Sequence, residues 1–219
     1  MSRNTHEYVP NRLCIAGGSV KPAYTEEIAG HLAVNELIPT NRKMFLDGEV
    51  YAQFEESVRG GDVFLVAPLM NRAATEESPR YSINDAIIEL AIMLEASTAS
   101  SAKRSIAATP YLPYSRQERR DESGEPIAAR SMVKILEVNG ADRILAMDLH
   151  APAIQGMNDP RKTKFDRIPA KPLIKSWIKA VADEFGAENC VLVSPDSGRT
   201  KVIESYADTL YQEGYELLT

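Results

Sequence analysis

Residues 111–121, YLPYSRQERRD, hold the densest set of side chains that could do chemistry. Three arginines and two carboxylates stand there beside tyrosines and a proline, just past an apolar run. Guanidinium groups match phosphate oxygens in pairs and stay charged at physiological pH. The segment therefore predicts a polyphosphate site. A solvated surface loop is the alternative, because charged runs usually face water.

Two further clusters also follow apolar runs. Residues 144–147 lead into Asp148 and His150, and residues 191–193 lead into Asp196 in a Ser-Pro-Asp-Ser-Gly segment. A histidine and carboxylates at a strand end suit a divalent metal or proton transfer. Each has a structural alternative: His150 as a histidine that serves packing, and Asp196 as the cap of the next helix.

A fourth candidate is the sequence Phe45-Leu46-Asp47-Gly48-Glu49. An aromatic ring followed by two carboxylates on a turn could stack on an adenine and accept from its amino group. A plain hairpin turn explains the segment equally well. The sequence has neither a GxxxxGK[ST] loop nor a GxGxxG after a strand, so any ATP site works without a Walker loop. It also lacks HExxH and paired CxxC motifs, which argues against zinc.

The elements that position these side chains alternate between strand-like and helical patterns, which predicts an α/β fold with a parallel sheet and crossover helices. Ligands of such sheets lie at the carboxyl ends of the strands, where the arginine, histidine and Asp196 clusters fall. Residues 158–167 are polar and proline-flanked, which favours a linker or an exposed connection. The predicted strands are 13–16, 50–54, 62–67, 105–109, 143–148 and 190–194, with a further one starting at 215, and the predicted helices are 25–37, 84–96, 127–139, 173–185 and 201–211.

Composition limits the class of protein. Of 219 residues, 44% are apolar and 26% charged, so the chain can bury a core. The net charge of −6 argues against a nucleic-acid or membrane-surface binder. No apolar run is long enough for a bilayer and the start is no signal peptide, so we expect a cytoplasmic protein. Cys14 and Cys190 are expected to be buried, reduced thiols.

Several blocks, taken in order, resemble the ribose-phosphate pyrophosphokinase (phosphoribosyl pyrophosphate synthetase) family. The resemblance runs from about Cys14 to about Ala207. The blocks are GGSVKPAYTEEIAGHL, FLDGE, ESVRGGDVFLV, NDAIIELAIMLEA, PYLPYSRQERRD, GEPIAARSMVKILEVNGADRILAMDLHAPAIQG and VLVSPDSG.

The resemblance implies phosphoribosyltransferase-like domains, in subunits that form a homo-oligomer, commonly a hexamer, with ATP bound between subunits. It implies transfer of the pyrophosphoryl group of Mg-ATP to the anomeric hydroxyl of ribose 5-phosphate. By position, the resemblance implies that Phe45, Asp47 and Glu49 of a neighbouring subunit bind the adenine, and that Arg116, Gln117 and Asp121 bind the ATP phosphates and ribose. It implies that His150 and Arg116 are catalytic. It also implies that His150 and Asp196 bind Mg2+, directly or through water, with Asp148 in support.

The chain also departs from the family pattern. Gly124 and Glu125 stand where an arginine of an allosteric phosphate site is usual, and Arg199 follows SPDSG where the family has a glycine. Residues 71–82 form a longer connection than usual. The family's basic flexible loop and its DD-x-x-x-TGGT loop are absent from the sequence. The second of these holds the ribose phosphate and pyrophosphate through backbone amides and hydroxyls.

We therefore expect residues 1–160 to form the N-terminal pyrophosphokinase domain, with the ATP half of the site, and residues 161–219 to begin a truncated second domain of similar fold. Two alternatives stay open. The acceptor could be another anomeric hydroxyl, such as that of ADP-ribose, or the chain could be a catalytically silent, regulatory synthetase-like subunit. The reading frame downstream of Thr219 separates an enzyme from the silent subunit: a TGGT loop there indicates an enzyme, and a stop codon favours the silent subunit.

Overall fold

The chain folds into two compact units, in a computed structural model that describes residues 12–71, 73 and 81–218. The first unit ends at Ile168 and the second begins at Pro169. The boundary predicted from the sequence lies after residue 160.

The first unit is built on a five-stranded parallel sheet, which confirms the predicted α/β class. The strand order is β1-β4-β5-β6-β7, and β2 and β3 form a separate antiparallel hairpin. The strands are Leu13–Gly17 (β1), Thr40–Met44 (β2), Val50–Phe54 (β3), Asp62–Val66 (β4), Arg104–Thr109 (β5), Arg143–Met147 (β6) and Lys164–Ile168 (β7). The helices of this unit are Pro22–His31 (α1), Ile83–Ala99 (α2) and Ala128–Val138 (α3).

Helix α2 is the most deeply buried helix of the sheet unit, and its beginning is sharply defined. Ser82 Oγ accepts from the Asp85 N–H at 3.2 Å, and Asp85 Oδ2 accepts from the Ser82 N–H at 2.7 Å. This capping box satisfies two amides of the first turn. Leu90 and Leu94 are buried in the main apolar core together with Val63 and Leu65 of β4.

This apolar helix also carries a buried carboxylate that the sequence patterns did not predict. Glu89 is only 3% exposed. Its Oε1 accepts from the Ser19 N–H at 2.6 Å, and its Oε2 accepts from the hydroxyls of Ser19 and Tyr81 at 2.5 and 2.6 Å. Burial and the neighbouring carboxylate raise the pKa of Tyr81 far above its ordinary value. Glu89 therefore ties α2 to the turn that follows β1.

Strand β7 was not expected. It pairs with β6 in parallel, from Arg143↔Lys164 to Met147↔Ile168. The prediction of a linker over residues 158–167 is therefore wrong for its second half. The segment is polar because β7 ends the sheet and its side chains are largely exposed, as in the ion pair between Arg143 and Asp166. Helix α1 also differs from its prediction, because it ends at His31 instead of residue 37.

The second unit contains helices Lys171–Phe185 (α4) and Thr200–Tyr211 (α5), which bury Ile178, Tyr206 and Leu210 between them. The strand predicted over 190–194 is wrong: among the described residues, this segment makes one isolated parallel bridge, Val191↔Leu218, which is also all that forms of the strand predicted from 215. Hydrogen bonds from Lys175 and Lys179 lower the pKa of Glu213 to about 2.

Two smaller expectations concern cysteines and membranes. Cys14 is a buried free thiol, whereas Cys190 is a free thiol that is only half-buried. Within the described part of the chain, no helix has the length and apolar character that crossing a bilayer requires.

Replacing Glu89 with alanine tests its role in joining α2 to the β1 turn. Glu89→Ala leaves the Ser19 amide and the Tyr81 hydroxyl without their acceptor, and we expect the free energy of unfolding to fall by about 3 kcal/mol. Glu95→Ala, at an exposed position of the same helix, should change it by less than about 0.5 kcal/mol. Urea denaturation measures both, and equal losses would contradict the anchoring role.

Candidate functional site

The first unit brings two of the predicted clusters to one edge of its sheet. Strands β5 and β6 are parallel neighbours, with Thr109 of β5 opposite Ala146 of β6. The arginine loop, residues 111–121, follows β5, and Asp148 and His150 follow β6. Because parallel strands end at the same edge, the loop and the histidine leave the sheet from the side where ligands of such folds bind.

The arginine loop has a buried base and an exposed tip. Leu112, Pro113 and Ser115 are buried, and the Ser115 hydroxyl donates to the Leu112 carbonyl at 2.5 Å. The Gln117 N–H donates to the Tyr114 carbonyl at 3.0 Å. Arg116 and Gln117 are exposed immediately beyond this base. The sequence thus presents its charged groups on an anchored turn.

The arginines of the loop differ in their partners. Arg119 Nε donates to Asp121 Oδ1 at 2.9 Å, so each neutralises the other. Among residues 12–71, 73 and 81–218, Arg116 and Arg120 form no ion pair. Arg116 is also closest in sequence to the buried base. It is the arginine best placed to bind an anion in a fixed geometry.

A carboxylate closes the far end of the loop. Glu125 Oε2 accepts from the N–H groups of Asp121 and Glu122 at 2.8 and 3.1 Å, and these backbone bonds lower the pKa of Glu125. Gly124 takes a φ of 89°, which lets the chain turn back at this point. In the sequence, Gly124 and Glu125 stand out only as departures from the family pattern. The glycine directly before the glutamate was the available signal for this turn.

The segments that follow β5 and β6 each contain a residue with a strained backbone. Tyr114 has a φ of 60° and Asp148 a φ of 40°, a region that residues other than glycine enter rarely. The Asp148 N–H donates to the Ile168 carbonyl of β7 at 3.2 Å. Such residues cluster at binding and active sites, where the surrounding structure holds them. Leu149, which follows Asp148, is buried in the main apolar core, and His150 is exposed.

Asp196 lies in the second unit, before a short 3-10 turn at Ser197–Arg199. Its carbonyl accepts from the Ser194 hydroxyl at 2.6 Å and from the Arg199 N–H at 3.2 Å. Its side chain makes no capping hydrogen bond, so the structure does not support the helix-cap interpretation. The carboxylate of Asp196 is exposed.

The described side chains do not form a complete metal site by themselves. Within the described ranges, no group of three or more His, Cys, Asp or Glu side chains could hold a metal ion by itself. Mg2+ usually keeps several waters and takes one or two protein groups together with substrate phosphates. His150 in the first unit and Asp196 in the second are each exposed.

The hairpin of β2 and β3 carries the fourth candidate. The Phe45 N–H donates to the Glu49 carbonyl at 2.8 Å, and the Glu49 N–H donates to Asp47 Oδ1 at 3.1 Å. The Phe45 ring is 43% exposed, and Lys43 Nζ lies 4.7 Å from its centre. The segment is therefore a hairpin turn, and it also presents an aromatic ring and carboxylates to solvent.

The comparisons with known proteins agree on one family. A family model described as the N-terminal domain of ribose phosphate pyrophosphokinase matches residues 13–140. The ribose-phosphate pyrophosphokinase of Corynebacterium efficiens is 38% identical over 198 residues, and that of Mycobacterium tuberculosis is 35% identical over 208 residues. The matches cover 90% and 94% of this chain, but only 56% and 59% of those proteins.

A solved structure gives the same result. The crystal structure of phosphoribosylpyrophosphate synthetase from Mycobacterium smegmatis superposes with a TM-score of 0.77 at 34% identity. The match covers 95% of this chain and 63% of that protein. The chain thus spans less than two thirds of the length of these relatives.

The pH dependence of the loop tests the Glu125 anchor. The carboxylate form holds the two amides and its pKa is lowered, so the ordering persists above the ordinary glutamate pKa and is lost as the pH falls through the lowered value. We expect the 15N NMR signals of the Asp121 and Glu122 amides to titrate with a midpoint below that of an unperturbed glutamate. Glu125→Gln should remove this titration. A midpoint at or above the ordinary value would contradict the anchor.

Proposed function

Because this chain belongs to the ribose-phosphate pyrophosphokinase family, we propose that it carries the Mg-ATP half of a ribose-phosphate diphosphokinase site. The reaction transfers the β,γ-pyrophosphoryl group of ATP to the anomeric hydroxyl of ribose 5-phosphate. The anomeric oxygen bonds to the β-phosphorus, the bond from that phosphorus to the α,β-bridging oxygen breaks, and the hydroxyl proton is released. The products are phosphoribosyl pyrophosphate and AMP.

One observation carries the proposal: an anchored loop with an unneutralised arginine and an exposed histidine follow neighbouring parallel strands. Phosphoryl-type transfer depends mostly on positioning and charge neutralisation. Arg116 would bind the ATP phosphates through paired donors, and the Gln117 amide would add a neutral donor beside it. Asp121, which the Glu125 anchor and Arg119 hold in place, would face the nucleotide ribose.

The proposed metal is Mg2+, which when bound neutralises charge on the phosphates. His150 would hold it, directly or through water, and Asp196 would supply a carboxylate. Asp148 would support His150 from the strained turn at the end of β6. The exposure of His150 and Asp196 leaves both side chains accessible to such a ligand.

The adenine would bind to the β2–β3 hairpin of a neighbouring subunit. The exposed Phe45 ring offers a stacking surface, and Asp47 and Glu49 offer acceptors for the exocyclic amino group. This assignment requires a homo-oligomer, with a hexamer as the proposed form. A cytoplasmic location remains the prediction made from the sequence.

The arginine assignment can be tested by ATP binding. Arg116→Ala should weaken Mg-ATP binding about tenfold to a hundredfold, because a charge-assisted hydrogen bond contributes about 1.5–3 kcal/mol. Arg116→Lys should restore only part of the affinity, since an ammonium lacks the paired donors. Arg130→Ala, at an exposed position of α3, is the matched control and should bind like the wild type. Isothermal titration calorimetry measures all four, and an unchanged affinity for Arg116→Ala would contradict the assignment.

The reaction itself is tested by AMP release from Mg-ATP, with the product of the complete reading frame and with this chain alone. We expect turnover with ribose 5-phosphate from the complete product and little from the chain. Turnover with ADP-ribose and not with ribose 5-phosphate would replace the proposed acceptor. ATP binding without turnover on either acceptor would favour a regulatory subunit.

A further inference from the structure

We propose that Tyr114 and Asn84 are positioning residues: the hydrogen bond between their side chains fixes the turn that presents Arg116. The Tyr114 hydroxyl donates to Asn84 Oδ1 at 2.7 Å. The two residues lie 30 positions apart, Asn84 in the first turn of α2 and Tyr114 in the arginine loop. As far as it concerns ATP, the inference rests on the proposed function.

The backbone of Tyr114 is the first reason. A tyrosine with a φ of 60° is in a left-handed conformation that its Cβ disfavours. A strained residue of this kind persists only where its surroundings hold it. Because Arg116 follows two residues later, a relaxation of Tyr114 would change where the guanidinium group points.

Three contacts hold Tyr114 in this conformation. Its hydroxyl is bound to Asn84, its carbonyl accepts from the Gln117 N–H at 3.0 Å, and its ring packs against the main apolar core. The Gln117 carbonyl in turn accepts from the Ala129 N–H of α3 at 3.3 Å. The hydrogen bond to Asn84 is the contact that fixes the outer end of the side chain.

Asn84 is itself on a rigid support. The Ser82–Asp85 capping box closes the first turn of α2, and the Ile83 N–H donates to Asn71 Oδ1 at 2.9 Å. Glu89 fixes the same helix to the β1 turn. Asn84 is exposed and the bond lies at the surface, so its removal should affect the loop far more than the stability of the whole unit.

The test uses three variants that remove the hydrogen bond: Asn84→Ala, Tyr114→Phe and the two combined. Asn84→Asp is compared with them, because it keeps an oxygen acceptor at the same position. Tyr211→Phe, at an exposed tyrosine of α5, is the matched control. Two readouts are needed: hydrogen exchange of the Gln117 amide, which reports the turn without any nucleotide, and calorimetric titration with Mg-ATP. Thermal unfolding shows that each variant is folded.

For Asn84→Ala and for Tyr114→Phe we expect exchange at Gln117 to be about tenfold faster and the Kd for Mg-ATP about tenfold higher, with little change in thermal unfolding. The double variant should match the singles, because both remove the same bond. Asn84→Asp should bind close to the wild type, and Tyr211→Phe should be unchanged.

Unchanged exchange at Gln117 in both single variants would overturn the inference. Faster exchange with an unchanged Kd would overturn the positioning role, because the turn would then loosen without moving Arg116. An Asn84→Asp variant that binds as weakly as Asn84→Ala would also contradict it. A wild-type chain that does not bind Mg-ATP would contradict the proposed function, and the exchange measurements would still decide whether Asn84 holds the turn.

Discussion

The buried carboxylate of Glu89 is the constraint around which the first unit is organised. A carboxylate that is 3% exposed needs partners for its oxygens, and it finds them in Ser19 and Tyr81. This requirement fixes how α2 lies along the sheet, and the capping box fixes where the helix begins. The helix then presents Asn84 toward the arginine loop. Core and candidate site are thus parts of one packing arrangement.

The electrostatics of the site follow from local pairing. Arg119 forms an ion pair with Asp121, and Glu125 accepts hydrogen bonds from the Asp121 and Glu122 amides. Several charged groups of the loop therefore have partners within the loop itself. Arg116 is exposed next to the buried residues Leu112, Pro113 and Ser115. Some ionic groups of this loop thus shape its backbone, whereas Arg116 and Arg120 form no ion pair among the described residues.

Local patterns predicted the α/β class, most strands of the sheet and the arginine loop, because buried parallel strands are continuous apolar runs and charged motifs follow them. They missed β7, since an exposed terminal strand needs no apolar run. They also predicted a strand near Val191, where the described residues form a single isolated bridge. They also missed the partners of Glu89 and Tyr114. Ser19 and Glu89 are 70 positions apart, and no local period reports such a contact.

Strand β7 has a consequence for how molecules of this protein meet in solution. It is the last strand of the sheet that the described residues form, and its exposed charged residues are Lys164 and Arg167. An open strand offers unpaired backbone groups on which another chain could extend the sheet, and charged side chains along it discourage such growth. The polarity that left β7 unpredicted therefore disfavours further strand pairing at this end of the sheet.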